Sequence, residues 1–160
     1  MSKLAIYPGT FDPLTNGHLD LIQRTLIIFD EVVIAVAPSI SKSPLFTIGE
    51  RIKLIQDSIK EFKGASVESF DNLVVHYAKD KGSVAIIRGL RAISDYEYEL
   101  QMALTNRRLD ATVETVFMMP SEEHTFISSS IVKEVASFGG SVKGFVPEAV
   151  ENALKEKYQK

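Results

Sequence analysis

The chain has 160 residues, 45% of them hydrophobic and 24% charged, an ordinary balance for a globular domain with a buried core. Cysteine is absent, which excludes disulfides, thiolate nucleophiles and cysteine-based metal sites and fits a reducing cytoplasmic setting. The formal net charge of −3, from 18 basic and 21 acidic residues, counts against a nucleic-acid binder with its usual basic excess, although a few focused cations can still hold one phosphate chain.

Met1-Ser2-Lys3 runs straight into Leu4-Ala5-Ile6-Tyr7, a predicted strand that ends at Pro8-Gly9, with no charged-then-apolar leader ahead of it. From Gly17 to Phe29 the apolar residues Leu19, Leu21, Ile22, Leu26 and Phe29 fall at helical spacing. Val32 to Ala37 is a continuous apolar run stopped by Pro38, as expected of a strand buried on both faces. Residues 38–46 read as a loop, and Thr47 with Glu50 forms a capping box that opens a helix to about Lys60. A strand over Ala65–Phe70 precedes a helix over Asn72–Lys81, and Ser83–Ile87 is a fourth strand. Ser94 with Glu97 makes a second capping box, opening a helix to about Leu109, and Glu114–Met119 is a fifth strand closed by Pro120. Two helices follow, one from about Ser129 and one from Pro147, a residue suited to the first helical position. No apolar stretch approaches the ~20 residues that cross a bilayer. Strands alternating with helices predict an α/β fold: a Rossmann-like, doubly wound, five-stranded parallel sheet with helices on both faces, in a single domain over residues 1–160.

In an open parallel sheet, ligands bind beyond the carboxyl ends of the strands, where the strand order reverses. The chemically loaded residues fall there. Thr10, Asn16 and His18 follow the first predicted strand, Lys42 the second, Arg88 and Arg91 the fourth, and Ser128-Ser129-Ser130 the fifth. Gly9 and Gly17 bracket a loop entering a helix, whose first N–H groups suit an anion, and His18 in that first turn can donate to the same oxygen. This loop is neither a P-loop nor a Gly-x-Gly-x-x-Gly turn. Arg88-Gly89-Leu90-Arg91 lets the backbone approach a phosphate while two guanidinium forks reach its oxygens, and the competing reading is an ion pair from Arg88 to a carboxylate such as Asp95. Glu99 lies one turn beyond Asp95 on the same helix face, where it could touch a ligand or its metal. Ordinary capping accounts for one serine of the three at 128–130, leaving two for an anion.

Hydroxyls, a histidine, arginines, a lysine and helix N-termini suit direct in-line phosphoryl or nucleotidyl transfer, in which positioning and electrostatics carry the catalysis. Mg²⁺ is expected to travel with the nucleotide, and no His/Asp/Glu spacing suggests a zinc site.

Tyr7-Pro8-Gly9-Thr10-Phe11-Asp12-Pro13 with Asn16-Gly17-His18 resembles the T/H-x-G-H signature of the nucleotidyltransferase superfamily. Ile87–Arg91, Asp95–Glu99 and Phe126–Ser130 then resemble one family within it, bacterial pantetheine-phosphate adenylyltransferase, in order along nearly the whole chain. The resemblance implies transfer of AMP from ATP to 4′-phosphopantetheine, giving 3′-dephospho-CoA and pyrophosphate, the penultimate step of coenzyme A biosynthesis. It further implies that His18 stabilises the transition state, and that Thr10, Lys42, Val74 and Arg88 hold the acceptor. Thr10, Phe11, His18, Gly89, Leu90, Arg91, Glu99 and the run His124, Thr125, Phe126, Ile127, Ser128, Ser129 and Ser130 would line the ATP site. A homohexamer and feedback inhibition by CoA are likewise implied. Three positions depart from the family pattern: His124 for tryptophan, Ser43 for lysine and Tyr96 for phenylalanine. The alternatives are a related nucleotidyltransferase with another phosphorylated acceptor, such as nicotinamide mononucleotide, and a nucleotide-sensing module without turnover.

Overall fold

The computed structural model describes residues 1–39, 43–91 and 93–159, without the side chains of Ile93 and Ser94. Lys42 and the side chain of Ser94 therefore lie outside the described residues. Among those described, five strands form one sheet: β1 (Leu4–Gly9), β2 (Glu31–Val36), β3 (Ala65–Ser69), β4 (Ala85–Gly89) and β5 (Glu114–Met118). Every pair is parallel and the order is β3-β2-β1-β4-β5. The helices are α1 (Asn16–Ile28), α2 (Ile48–Ser58), α3 (Val74–Asp80), α4 (Ile93–Leu109), α5 (Ser129–Ser137) and α6 (Glu148–Tyr158).

The apolar strands are explained by burial on both faces. Ala5, Tyr7, Val32, Ile34, Val36, Ala85 and Ile87 point to one side, where Leu21 and Ile22 of α1, Ile55 of α2, Val132 of α5 and Val150 and Leu154 of α6 complete the core. Ile6, Ala35 and Ile86 alternate to the other side, against Val75, Tyr77 and Ala78 of α3. The doubly wound expectation holds.

Several boundaries differ from the sequence reading. β1 continues through Pro8 and Gly9, which pair with Ala35 and Val36 of β2. A proline is tolerated in this central strand because the ladder with β4 covers only Ala5 and Ile6, so its missing N–H leaves no bond unmade. β4 likewise extends through Arg88 and Gly89, which end the strand rather than follow it. Pro147 is the residue before α6, with an extended ψ of 157°, and not its first helical residue. The Thr47–Glu50 capping box is present at α2, whereas α4 begins at Ile93, which places Ser94 inside the helix.

Strand order reverses between β1 and β4, whose carboxyl ends open side by side.

Candidate active site

The turn from β1 into α1 is built around Thr15 and His18. Thr15 caps α1, accepting from the His18 backbone N–H, while the His18 ring Nδ1 accepts from the Thr15 backbone N–H at 2.9 Å. This is a capping box in which histidine fills the role usually taken by glutamate or glutamine. Because Nδ1 is an acceptor, the neutral ring carries its proton on Nε2. Enclosure of the ring, with a further push from the Arg91 charge, lowers the His18 pKa to about 4, so the ring is neutral near pH 7. Phe11 packs edge-on to His18 at 4.9 Å and to Tyr7 at 5.3 Å, and its backbone adopts φ 50°, a left-handed conformation uncommon for an aromatic residue. Burial also raises the Tyr7 pKa, keeping that hydroxyl protonated.

Two cavities meet at the switch point. The first, about 310 Å³, is lined by Phe11 from the β1–α1 turn and His18 from the first turn of α1, Arg88 and Gly89 at the end of β4 with Arg91 just past it, and His124, Ile127 and Ser128 ahead of α5 with Ser129 and Ser130 in its first turn. The second, about 290 Å³, is lined by Thr10, Ala37, Phe70, Val74 and, from α4, Met102 and Asn106. Arg88 and Glu99 belong to both linings and stand between them. The Arg88 fork grips Glu99 in bidentate fashion, Nε to Oε2 at 2.7 Å and Nη2 to Oε1 at 2.6 Å. The hydrogen bonds to Glu99 raise the Arg88 pKa further. An ion pair was one reading of Arg88; its partner is Glu99 and not Asp95, which faces Arg91 at 3.8 Å.

Gly89 also lies close against α1: a Cβ there would meet the tip of the Leu21 side chain at 3.2 Å, tight enough that the leucine would have to shift. The serines divide their work. Ser128 caps α5 by accepting from the Ile131 N–H, Ser129 donates to the Pro13 carbonyl at 2.7 Å, and all three line the first cavity. Arg91 donates to the Ile127 carbonyl at 3.2 Å, joining the β4 end to the loop before α5.

Of the residues expected for ATP, His18, Phe11, Gly89, Arg91, Glu99, His124, Ile127, Ser128, Ser129 and Ser130 come together on the first cavity. Thr10 lines only the second, with Val74 and Arg88, while Leu90, Thr125 and Phe126 line neither. Leu90 bonds instead to the Met118 carbonyl, and Phe126 packs edge-on to Phe145. Sequence reasoning missed three buried polar residues near the site. Asp12 accepts from the backbone N–H groups of Leu45 and Phe46 and from Lys133 of α5. Arg51 bonds three carbonyls, and Asn106 faces the second cavity from α4. The signal for Arg51 was available, since it falls four residues before Ile55 on the buried stripe of α2, where an apolar side chain is expected.

A family model for cytidylyltransferase-like proteins matches residues 6–135. Relatives named phosphopantetheine adenylyltransferase align along nearly the whole chain. The one from Thermodesulfovibrio yellowstonii is 58% identical with 100% of both chains covered. The one from Carboxydothermus hydrogenoformans is 52% identical, covering 99% of this chain and 98% of its own. That of Syntrophus aciditrophicus is 51% identical, covering 99% and 96%. Among solved structures, a Vibrio parahaemolyticus protein assigned as a nicotinate-nucleotide adenylyltransferase superposes with a TM-score of 0.70 at 19% identity, over 99% of this chain and 95% of that one. A bifunctional NMN adenylyltransferase/ADP-ribose pyrophosphatase from Francisella tularensis gives 0.69 at 15% identity, over 98% of this chain and 49% of that one. At these identities the two structures share the fold. The full-length relatives decide the narrower question, and the chain belongs to the phosphopantetheine adenylyltransferases of the cytidylyltransferase-like family.

Proposed function

We propose that this protein transfers the adenylyl group of ATP to 4′-phosphopantetheine, releasing pyrophosphate and giving 3′-dephospho-CoA. The observation that carries this reading is full-length identity of 58% to a protein named for that activity. The paired cavities support it: one walled by Arg91, His18 and the serine-rich start of α5, the other mostly apolar but with the Asn106 amide, which suits an arm bearing amides.

In the proposed reaction an oxygen of the acceptor phosphate attacks the α-phosphorus of ATP, and the bond from that phosphorus to the bridging oxygen of pyrophosphate breaks. The acceptor is already an anion at neutral pH, so no general base is needed. The Nε2–H of neutral His18 donates to the α-phosphate oxygens as charge gathers there. Arg91 and the N–H groups at the start of α5 take the rest of the triphosphate. Arg88, set between the cavities, holds the acceptor phosphate with Thr10 and Lys42, and Val74 lines the pantetheine arm. Mg²⁺ would neutralise phosphate charge. Among the described residues no group of three or more His, Asp and Glu side chains is gathered to cage it, and the Glu99 carboxylate is already taken by Arg88, so the fit is to an ion held by ATP and water.

CoA, which carries the same arm, is proposed to inhibit from the second cavity. A homohexamer is proposed too. Its support is a stripe of exposed apolar residues on α4, Tyr96, Leu100 and Leu104, spaced four apart on one helix face. A cytoplasmic location fits the substrates, and no helix among the described residues is long and apolar enough to cross a membrane.

The test is pyrophosphate release from MgATP with and without 4′-phosphopantetheine, with nicotinamide mononucleotide as the control acceptor. Release dependent on 4′-phosphopantetheine, with dephospho-CoA identified by mass, is expected. Release with the mononucleotide alone would transfer the protein to another acceptor. In the same assay His18→Ala should lower kcat by about 10²–10³ with little change in the KM for ATP, because the donor acts on charge that develops in the transition state.

A further inference from the structure

Arg51 is 2% exposed and carries a full charge into the core, yet it touches no substrate cavity itself. Its Nη1 donates to the carbonyl oxygens of Thr10 at 2.8 Å and Ala37 at 2.9 Å, and its Nε to that of Phe46 at 3.1 Å. Thr10 lies just past β1, Ala37 just past β2, and Phe46 just before the Thr47 cap of α2. One guanidinium thus ties together the ends of the two strands and the start of the helix that follows them.

The placement is selective. Thr10 and Ala37 both line the second cavity, while none of the three bonded residues lines the first. Packing does not call for arginine here, since Ile55 and Ile59 occupy the next two turns of the same buried stripe. What does call for it is the cluster of carbonyl oxygens. Three such dipoles with their negative ends converging beside a site for a phosphate-bearing ligand would repel both one another and that ligand. A planar cation with several fixed donors satisfies them together and leaves a positive charge behind the cavity wall.

We propose that Arg51 is a positioning residue for the acceptor half of the site: it sets the backbone of Thr10 and Ala37 and supplies a fixed positive field toward the acceptor phosphate. The proposal rests on the adenylyl-transfer reading above. Lysine at this position keeps the charge but not the fork, and glutamine keeps neither the charge nor the reach.

The experiment is steady-state kinetics of the full chain for wild type, Arg51→Lys and Arg51→Gln, varying 4′-phosphopantetheine and MgATP separately, with a thermal melt of each protein. The KM for the acceptor should rise about tenfold in the lysine variant and further in the glutamine variant, while the KM for ATP stays within about twofold. A lower melting temperature with both KM values unchanged would make Arg51 a residue of the fold alone. Equal rises in both KM values would also overturn the proposal, as would failure of the lysine variant to fold. Should only the glutamine variant fail to fold, the lysine variant decides. Wild-type turnover run in parallel keeps the two readings apart: acceptor-dependent turnover without a split in KM removes the role of Arg51 and leaves the reaction standing.

Discussion

His18 shows how a backbone requirement can set a chemical state. The helix start needs an acceptor for the Thr15 N–H, Nδ1 provides it, and the proton is thereby confined to Nε2. Enclosure then favours the neutral ring, so the group works as a hydrogen-bond donor across the working pH range without titrating. The consequence for stability has a definite sign. In the unfolded chain the imidazole protonates near 6.5, in the folded protein near 4, so between those values the unfolded chain binds more protons and stability rises with pH. The contribution is complete above about pH 6.5 and is lost as pH falls through about 4. Urea melts of wild type and His18→Gln between pH 4 and 7 should show wild type losing its relative stability toward the acid end; a pH-independent difference would contradict the neutral ring. The sequence made His18 a candidate through its spacing from Thr10, but its bond to Thr15 was not foreseen, because histidine is not among the residues ordinarily sought at that capping position. Glu99 was legible in part: its place one turn beyond Asp95 pointed it at a ligand or its metal, but its bond to Arg88, eleven residues away in sequence, appears only in the fold.

Loops in this protein are pinned to elements by single buried groups. Asp12, 4% exposed, takes the Leu45 and Phe46 N–H groups with its two oxygens and meets Lys133 of α5 at 3.2 Å, so one carboxylate joins the β1–α1 turn, the entry to α2 and the helix that carries the serine run. Replacing one oxygen by an amide sets a donor against an N–H. Asp12→Asn should therefore cost about 1–3 kcal/mol of stability, read from denaturant midpoints, a range set by leaving buried N–H groups unsatisfied. A variant as stable as wild type would show that the two amides find other acceptors. The helices and their caps were readable because they depend on local spacing, as the Thr47–Glu50 box illustrates. The partners of the pins were not: the buried-stripe position of Arg51 marks it as unusual, but Asp12 and Arg51 act on groups more than thirty residues away in one case and across two strands in the other.

At the scale of the whole molecule, fold class followed from alternating patterns, whereas the strand order rests on long-range packing that no local window contains. The same limit applies to assembly. The apolar stripe on α4 looks, in sequence, like an ordinary core face, and only the structure leaves Leu104 55% exposed. On the proposed assembly, Leu104→Glu should leave folding stability within about 0.5 kcal/mol, as surface substitutions do, but shift the mass seen by light scattering from the proposed hexamer's, about six times 17.8 kDa, toward smaller species. An unchanged mass would remove this helix face from the proposed assembly. The sheet order carries a last consequence, for the order in which the chain is made. Of the five strands β1 is made first yet lies in the middle of the sheet, and its second neighbour, β4, is not complete until Gly89. A nascent chain that has reached only α3 holds half a sheet whose exposed margin is β1 itself, apolar on both faces, and stays open to wrong partners until residues 85–89 arrive to close it.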